Sequence, residues 1–103
     1  MENRLATVDY NNCNYDVQDL GTRGYLVSPS FNSYAPSLSE REIVAIVKSA
    51  IEANRRGIIY VKLQPNYIRG NLNFSLSANK NGVTVHIADF EIFWGSKIIV
   101  NLK

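Results

Sequence analysis

At Gly57 the hydrophobic period of the chain changes, and this change limits the fold more than any other feature. Ahead of it, "SEREIVAIVKSAIEANRRG" (Ser39 to Gly57) repeats at helical spacing. Behind it, residues 58–103 alternate in twos, as strands do.

The helix is predicted over about Glu40 to Arg56, and its end signals agree. Ser39 and Glu42 form a capping box, in which the serine oxygen accepts from a first-turn N–H and the glutamate reaches back to the Ser39 N–H. Leu38 and Ile43 occupy the staple positions around that cap. Ile43, Val47, Ala50 and Ile51, widened by Val44 and Ile46, give one broad face to bury. Arg55 and Arg56 suit the negative end of the helix dipole, and Gly57 suits a left-handed C-cap.

"IIYVKL" (58–63) sets Ile59, Val61 and Leu63 against Ile58, Tyr60 and Lys62, with Pro65 expected to end it. "LNFSLSA" (72–78) puts Leu72, Phe74, Leu76 and Ala78 on one face. "VTVHI" (83–87) puts Val83, Val85 and Ile87 on one face and Thr84 and His86 on the other. "EIFW" and "KIIVNL" follow, with Gly95-Ser96 as a hairpin turn between them.

Residues 1–36 read as irregular or as short strands, Leu5 to Tyr10 and Tyr25 to Ser28, with turns at Asn11, Asn12, Gly21 and Gly24. The expectation is a single α+β domain: an antiparallel sheet of four or five strands with the helix (39–57 with its caps) packed on its apolar face. Without βαβ alternation, a parallel sheet is not expected.

Composition bounds the function. At 103 residues, 46% apolar and 19% charged, the chain suffices for one core and is not of disordered type. Cys13 is the only cysteine, so no intramolecular disulfide forms. One Cys and one His cannot make a structural zinc site, and no cofactor or metal is expected. "MENRLATVDY" lacks the pattern of a secretory signal, and no apolar run approaches the roughly 18 residues that span a bilayer, so a cytoplasmic location away from membranes is expected. Asn-, Tyr- and Ile-rich usage suits a bacterial or phage gene.

The net charge of +2 hides a split, with residues 1–54 carrying −3 and residues 55–103 carrying +5. A basic half can attract an acidic partner; it can equally reflect two halves that attract each other.

"SLSANKNGVTVHIADF" (75–90) holds the only histidine, on a hairpin with two registers open. A two-residue Asn81-Gly82 turn pairs Ser77 with His86, whereas a four-residue loop 79–82 pairs Ser75 with His86. Either register puts His86 with Asn73, Ser75, Ser77 and Thr84 on the face away from the helix. A solvated face makes His86 an ordinary ring; a cleft closed by "QPNYIRGN" (64–71) would make it a site.

Two function classes follow. The first is a small protein-interaction module, an inhibitor or accessory factor, that binds a protein partner or a second copy of itself. Its surface is expected at Trp94, Ile92 and Phe93, with Tyr60, Tyr67 and Arg69, where the bland alternative is that these rings pack in a second apolar layer. The second class is a nucleic-acid-binding protein or metal-independent ribonuclease of toxin type, acting through the basic C-terminal half. In it His86 serves as base, Lys62 and Arg69 as phosphate cations, and Tyr67 as a stacking ring. The helix-then-sheet order also occurs among small bacterial ribonuclease toxins, an analogy of fold with no motif behind it. Cys13 paired with His86 as nucleophile and base is a third arrangement, against which "NNCN" offers no cation to activate the thiol. The expectation is a binding protein rather than an enzyme.

Overall fold

The computed structural model describes residues 3–30, 37–91 and 100–102, the last three by their backbone alone. Seven strands and one helix run in the order β1 (Asn3–Tyr10), β2 (Cys13–Asp19), a 3-10 turn at Gly21–Arg23, β3 (Tyr25–Pro29), α1 (Glu40–Arg55), β4 (Tyr60–Ile68), β5 (Asn71–Lys80), β6 (Val83–Glu91) and β7 (Val100–Leu102).

The helix forms as its sequence dictates. Ser39 is the N-cap, with the Glu42 N–H donating to Ser39 Oγ at 3.3 Å and the Ser39 N–H donating to Glu42 Oε1 at 2.9 Å. Past the last turn, Gly57 adopts φ +71°, which its missing Cβ allows without steric cost, and the Ile58 N–H closes onto the Ala53 carbonyl at 2.9 Å. Val44, Ala45, Ile46, Val47, Ala50 and Ala53 are buried, and the buried Ser49 hydroxyl is satisfied by the Ala45 carbonyl one turn back.

The α+β class holds, but the sheet corrects both the expected strand count and the expected antiparallel pairing. It has seven strands in the order β6-β5-β4-β1-β2-β3-β7, with β1 beside β4 and β3 beside β7 in parallel. The cause lies in residues 1–30, which form a three-stranded meander, and in α1, which makes β3-α1-β4 a crossover. Because that crossover passes over two strands, β4 arrives beside β1 pointing the same way. The apolar faces of the meander and of the β4-β5-β6 hairpins thereby join into one surface.

Three two-residue turns build the hairpins, each with both residues at positive φ: Asn11-Asn12 (+50° and +65°), Arg69-Gly70 (+53° and +80°) and Asn81-Gly82 (+55° and +79°). This is the backbone that Asn and Gly favour and that matches the twist of paired strands. The segment 64–71, expected as a loop, is therefore a strand end and a tight turn. Nor does Pro65 end its strand: it sits opposite Phe74, two residues past the point where β1 stops pairing with β4. With one side of β4 vacated there, a missing N–H breaks no ladder.

Valines and larger side chains fill the layer between helix and sheet. Val8, Val17, Val27, Val61, Leu63, Phe74 and Leu76 are at most 1% exposed, and α1 lies mainly over β1 and β4. Ile59, which alternation groups with Val61 and Leu63, precedes the strand and is 80% exposed. Tyr10 ties the two layers together, its hydroxyl donating to Glu42 Oε2 at 2.5 Å. Burial, then this bond to a carboxylate, pushes the Tyr10 hydroxyl far above its ordinary value. Burial alone would raise Glu42, but the bonds from Tyr10 and Ser39 outweigh it and hold its carboxyl below the usual range.

Candidate functional site

One face of the sheet lies under α1; the other carries the polar half of each alternating strand. Across it the register sets a straight row of side chains from five strands: Asn14, Asp9, Lys62, Ser77 and His86. A second row holds Gln64, Ser75 and Asp89, and a third Asn66, Asn73 and Glu91. Asp16, Thr7 and Tyr60 stand on the other side of the first row.

The placement of His86 depends on a β-bulge. From the Asn81-Gly82 turn the pairs run Lys80 with Val83, Ala78 with Val85 and Ser77 with His86, the two-residue register. The register then shifts, so that Leu76 meets Ala88 and Phe74 meets Phe90, with Ile87 as the extra residue. Strict alternation would put His86 and Asp89 on opposite faces. The bulge puts them on the same one, with His86 Nε2 3.0 Å from Asp89 Oδ1. Asp89 is thus a site residue that the period-2 reading of "VTVHIADF" could not find. The same shift turns Phe90 toward the apolar layer.

Of the four residues expected around a catalytic centre, the fold brings two into line. Lys62 and His86 flank Ser77 from either side. Tyr67 shares the face of Val61 and Leu63, the helix side, where it is 75% exposed. Arg69 sits in the hairpin turn seven residues beyond Lys62, about 23 Å along the strand. Cys13 is also on the helix side of the sheet, in β2, and four strand spacings, about 19 Å, separate β2 from β6, so no Cys13–His86 pair forms. Trp94, Ile92 and Phe93 lie outside the described residues.

The face is open. In β4 the outward residues Tyr60, Lys62, Gln64, Asn66 and Ile68 are all exposed, although β4 has a strand on either side at its start. The His86 and Asp89 side chains are 57% and 71% exposed, so their contact is a solvated surface one rather than a buried dyad. Elsewhere the face is knit together. Arg4 Nη2 donates to Thr7 Oγ1 at 2.7 Å and to Asp16 Oδ1 at 2.9 Å, and Thr7 Oγ1 donates to the same Asp16 oxygen at 2.6 Å. The Tyr60 hydroxyl donates to Asn14 Oδ1 at 3.0 Å; partial burial, then nearby Asp9, raises its pKa above the ordinary value.

Two hollows mark the ends of the short β1–β4 ladder. One, about 310 Å³, is lined by Arg4, Leu5, Ala6, Thr7, Ile59 and Tyr60. The other, about 280 Å³, lies between the Asn11-Asn12 turn and Lys62, Gln64 and Pro65, with Asp9 at its wall.

The charge on this face is mixed. Its strands present Arg4 and Lys62, with His86, against Asp9, Asp16, Asp89 and Glu91. The remaining described cations of the C-terminal half are dispersed: Arg55 and Arg56 pair with Glu52 at the helix end, while Arg69 and Lys80 mark hairpin ends. Among the described residues no three His, Cys, Asp or Glu side chains stand together as a metal site, and no helix is long and apolar enough to cross a membrane. Comparison with protein-family models, with curated proteins and with solved structures finds no match to this chain.

Proposed function

We propose that the protein is a small interaction module, an inhibitor or accessory factor working in the cytoplasm, whose partner is another protein lying across the open face of the sheet. The observation that carries this reading is the exposed outward row of β4, Tyr60 to Ile68, whose first residues stay exposed although a strand flanks them on either side. The five strands from β2 to β6, at about 3.3 Å per residue and about 4.8 Å between strands, offer about 700 Å² in plan. A standard interface takes about 800 Å² from each partner. Apolar tips at Tyr60 and Ile68 frame a centre of amides, Lys62 and carboxylates, a surface matched by another protein of mixed charge. Association of two copies through this face is a variant of the same reading.

Nucleic-acid binding or metal-independent RNA cleavage is the second reading. It is favoured by the hydrogen-bond contact between His86 and Asp89, with Lys62 two strands further in, across Ser77. Four carboxylates on that face repel a phosphate backbone, which ranks this reading below the first.

The two separate in one experiment, affinity capture from the native host with nuclease present. The module reading expects a protein recovered by the wild type and by Tyr67→Ala, and lost with the Tyr60→Ala, Lys62→Glu double variant. Recovery abolished by nuclease, together with retardation of short RNA at low salt, would instead support the second reading.

A further inference from the structure

The free edge of β6 carries an inference about how a partner is held. Among the described residues β6 ends the sheet on one side, and an edge strand presents a row of N–H and C=O groups that another chain can pair with. The edges in the described residues differ in how they are protected. β7 is three residues long. The part of β4 that runs past β1 carries Pro65. Beyond its bulge, β6 sets Asp89 and Glu91 outward. Val83 to His86 has none of these devices: it is exposed throughout, with no proline, lysine, arginine or carboxylate.

The turn fixes which of its groups are free. In a two-residue hairpin the residues flanking the turn form a hydrogen-bonded pair, and the pairs then alternate. Lys80–Val83 and Ala78–Val85 are thus bonded inward, and the N–H and C=O groups of Thr84 and His86 are aimed at the open edge. Side chains divide as cleanly. Val83 and Val85, 62% and 42% exposed, line the helix side; on the polar side stand Thr84 and His86, and then Asp89 and Glu91, neither of which pairs with a Lys or Arg among the described residues.

We propose that this edge receives an extended segment of a partner protein, which adds a strand to the sheet through the main-chain groups of Thr84 and His86. The segment carries aliphatic side chains facing Val83 and Val85, and Lys or Arg on the other side facing Asp89 and Glu91. This rests on the protein-binding reading and names the partner's docking element.

The test is a titration, followed by backbone amide NMR, with a short synthetic peptide in which valine alternates with lysine. The amides of Thr84 and His86 shift and gain exchange protection, while those of Val83 and Val85, already bonded to β5, are protected before peptide is added. Thr84→Pro, which removes an outward N–H and no ladder bond, weakens binding at least about tenfold with the helical circular dichroism unchanged. A peptide with glutamate in place of lysine is weaker by a similar factor. Should the proline variant fail to fold, the wild-type amides decide the matter. Unmoved Thr84 and His86 amides overturn the proposal. So does their protection without peptide in a dimer seen by light scattering, because the occupant is then a second copy. Capture that still depends on Tyr60 and Lys62 when the peptide fails would remove the edge and leave the face. A peptide that binds, with capture indifferent to Tyr60 and Lys62, would do the reverse.

Discussion

Replacing Glu42 by alanine is expected to lower the stability of the fold by about 3 kcal/mol, measured by urea denaturation with the slope unchanged. This one carboxylate does two tasks. Oε1 accepts the Ser39 N–H and completes the capping box; Oε2 accepts the Tyr10 hydroxyl and fixes α1 to β1. A hydrogen bond to a charged group contributes about 1.5–3 kcal/mol, and alanine also leaves a buried hydroxyl without a partner. Tyr10→Phe removes the second bond only and costs less, so the double variant should fall short of the sum. The effect carries a pH signature. Glu42 is held below its ordinary value, so its contribution is present above the unfolded carboxylate range, near 4.3, and is lost as pH falls through the folded value. The stability difference between wild type and Glu42→Gln therefore shrinks in acid.

Phe74→Ala is expected to cost about 3–5 kcal/mol, the range for truncating a buried aromatic ring. Phe74 is 1% exposed, lies opposite Phe90, and packs its ring 6.2 Å from that of Tyr10. It joins the β5-β6 hairpin to the central strand. Loss of this ring should thus lower the denaturation midpoint more than Phe90→Ala, whose side chain is only half-buried.

The elements that were legible in the sequence are those whose signals are local. Ser39, Glu42 and Gly57 specify both ends of α1 without reference to the rest of the chain, and the alternation from Leu72 to Ala78 gives β5 its buried face. The signal of β2 is weak: Cys13, Tyr15 and Val17 alternate with Asn14, Asp16 and Gln18, but amides and aspartates are poor strand formers in isolation, and here partners on both sides decide. The parallel β1–β4 pair was not legible at all, because it joins residues more than fifty positions apart through a helix that reads the same in an antiparallel layout. Pro65 misled for a related reason. Whether a proline ends a strand depends on whether a neighbour occupies its N–H side, and that is a property of the sheet.

The candidate site divides along the same line. Period-2 reasoning placed His86 correctly, away from the helix with Ser75 and Ser77, and its pairing with Ser77 follows from the Asn81-Gly82 turn. Its partner Asp89 needed the bulge at Ile87, which no residue in "HIADF" announces. Only a loop over the face would bring Tyr67 and Arg69 to His86. Once the segment is a strand, alternation sends Tyr67 to the helix side, and the tight turn carries Arg69 to the far end.

That separation of Tyr60 from Tyr67 gives the most direct test of the open face as the binding surface. Both rings belong to β4 and both meet solvent, Tyr60 47% and Tyr67 75% exposed, on opposite sides of one sheet. Hydroxyl-radical footprinting of the captured complex, read by mass spectrometry, compares them within a single strand. The account predicts that partner binding shields Tyr60 and leaves the oxidation rate of Tyr67 unchanged; shielding of Tyr67 with Tyr60 still reactive would contradict it.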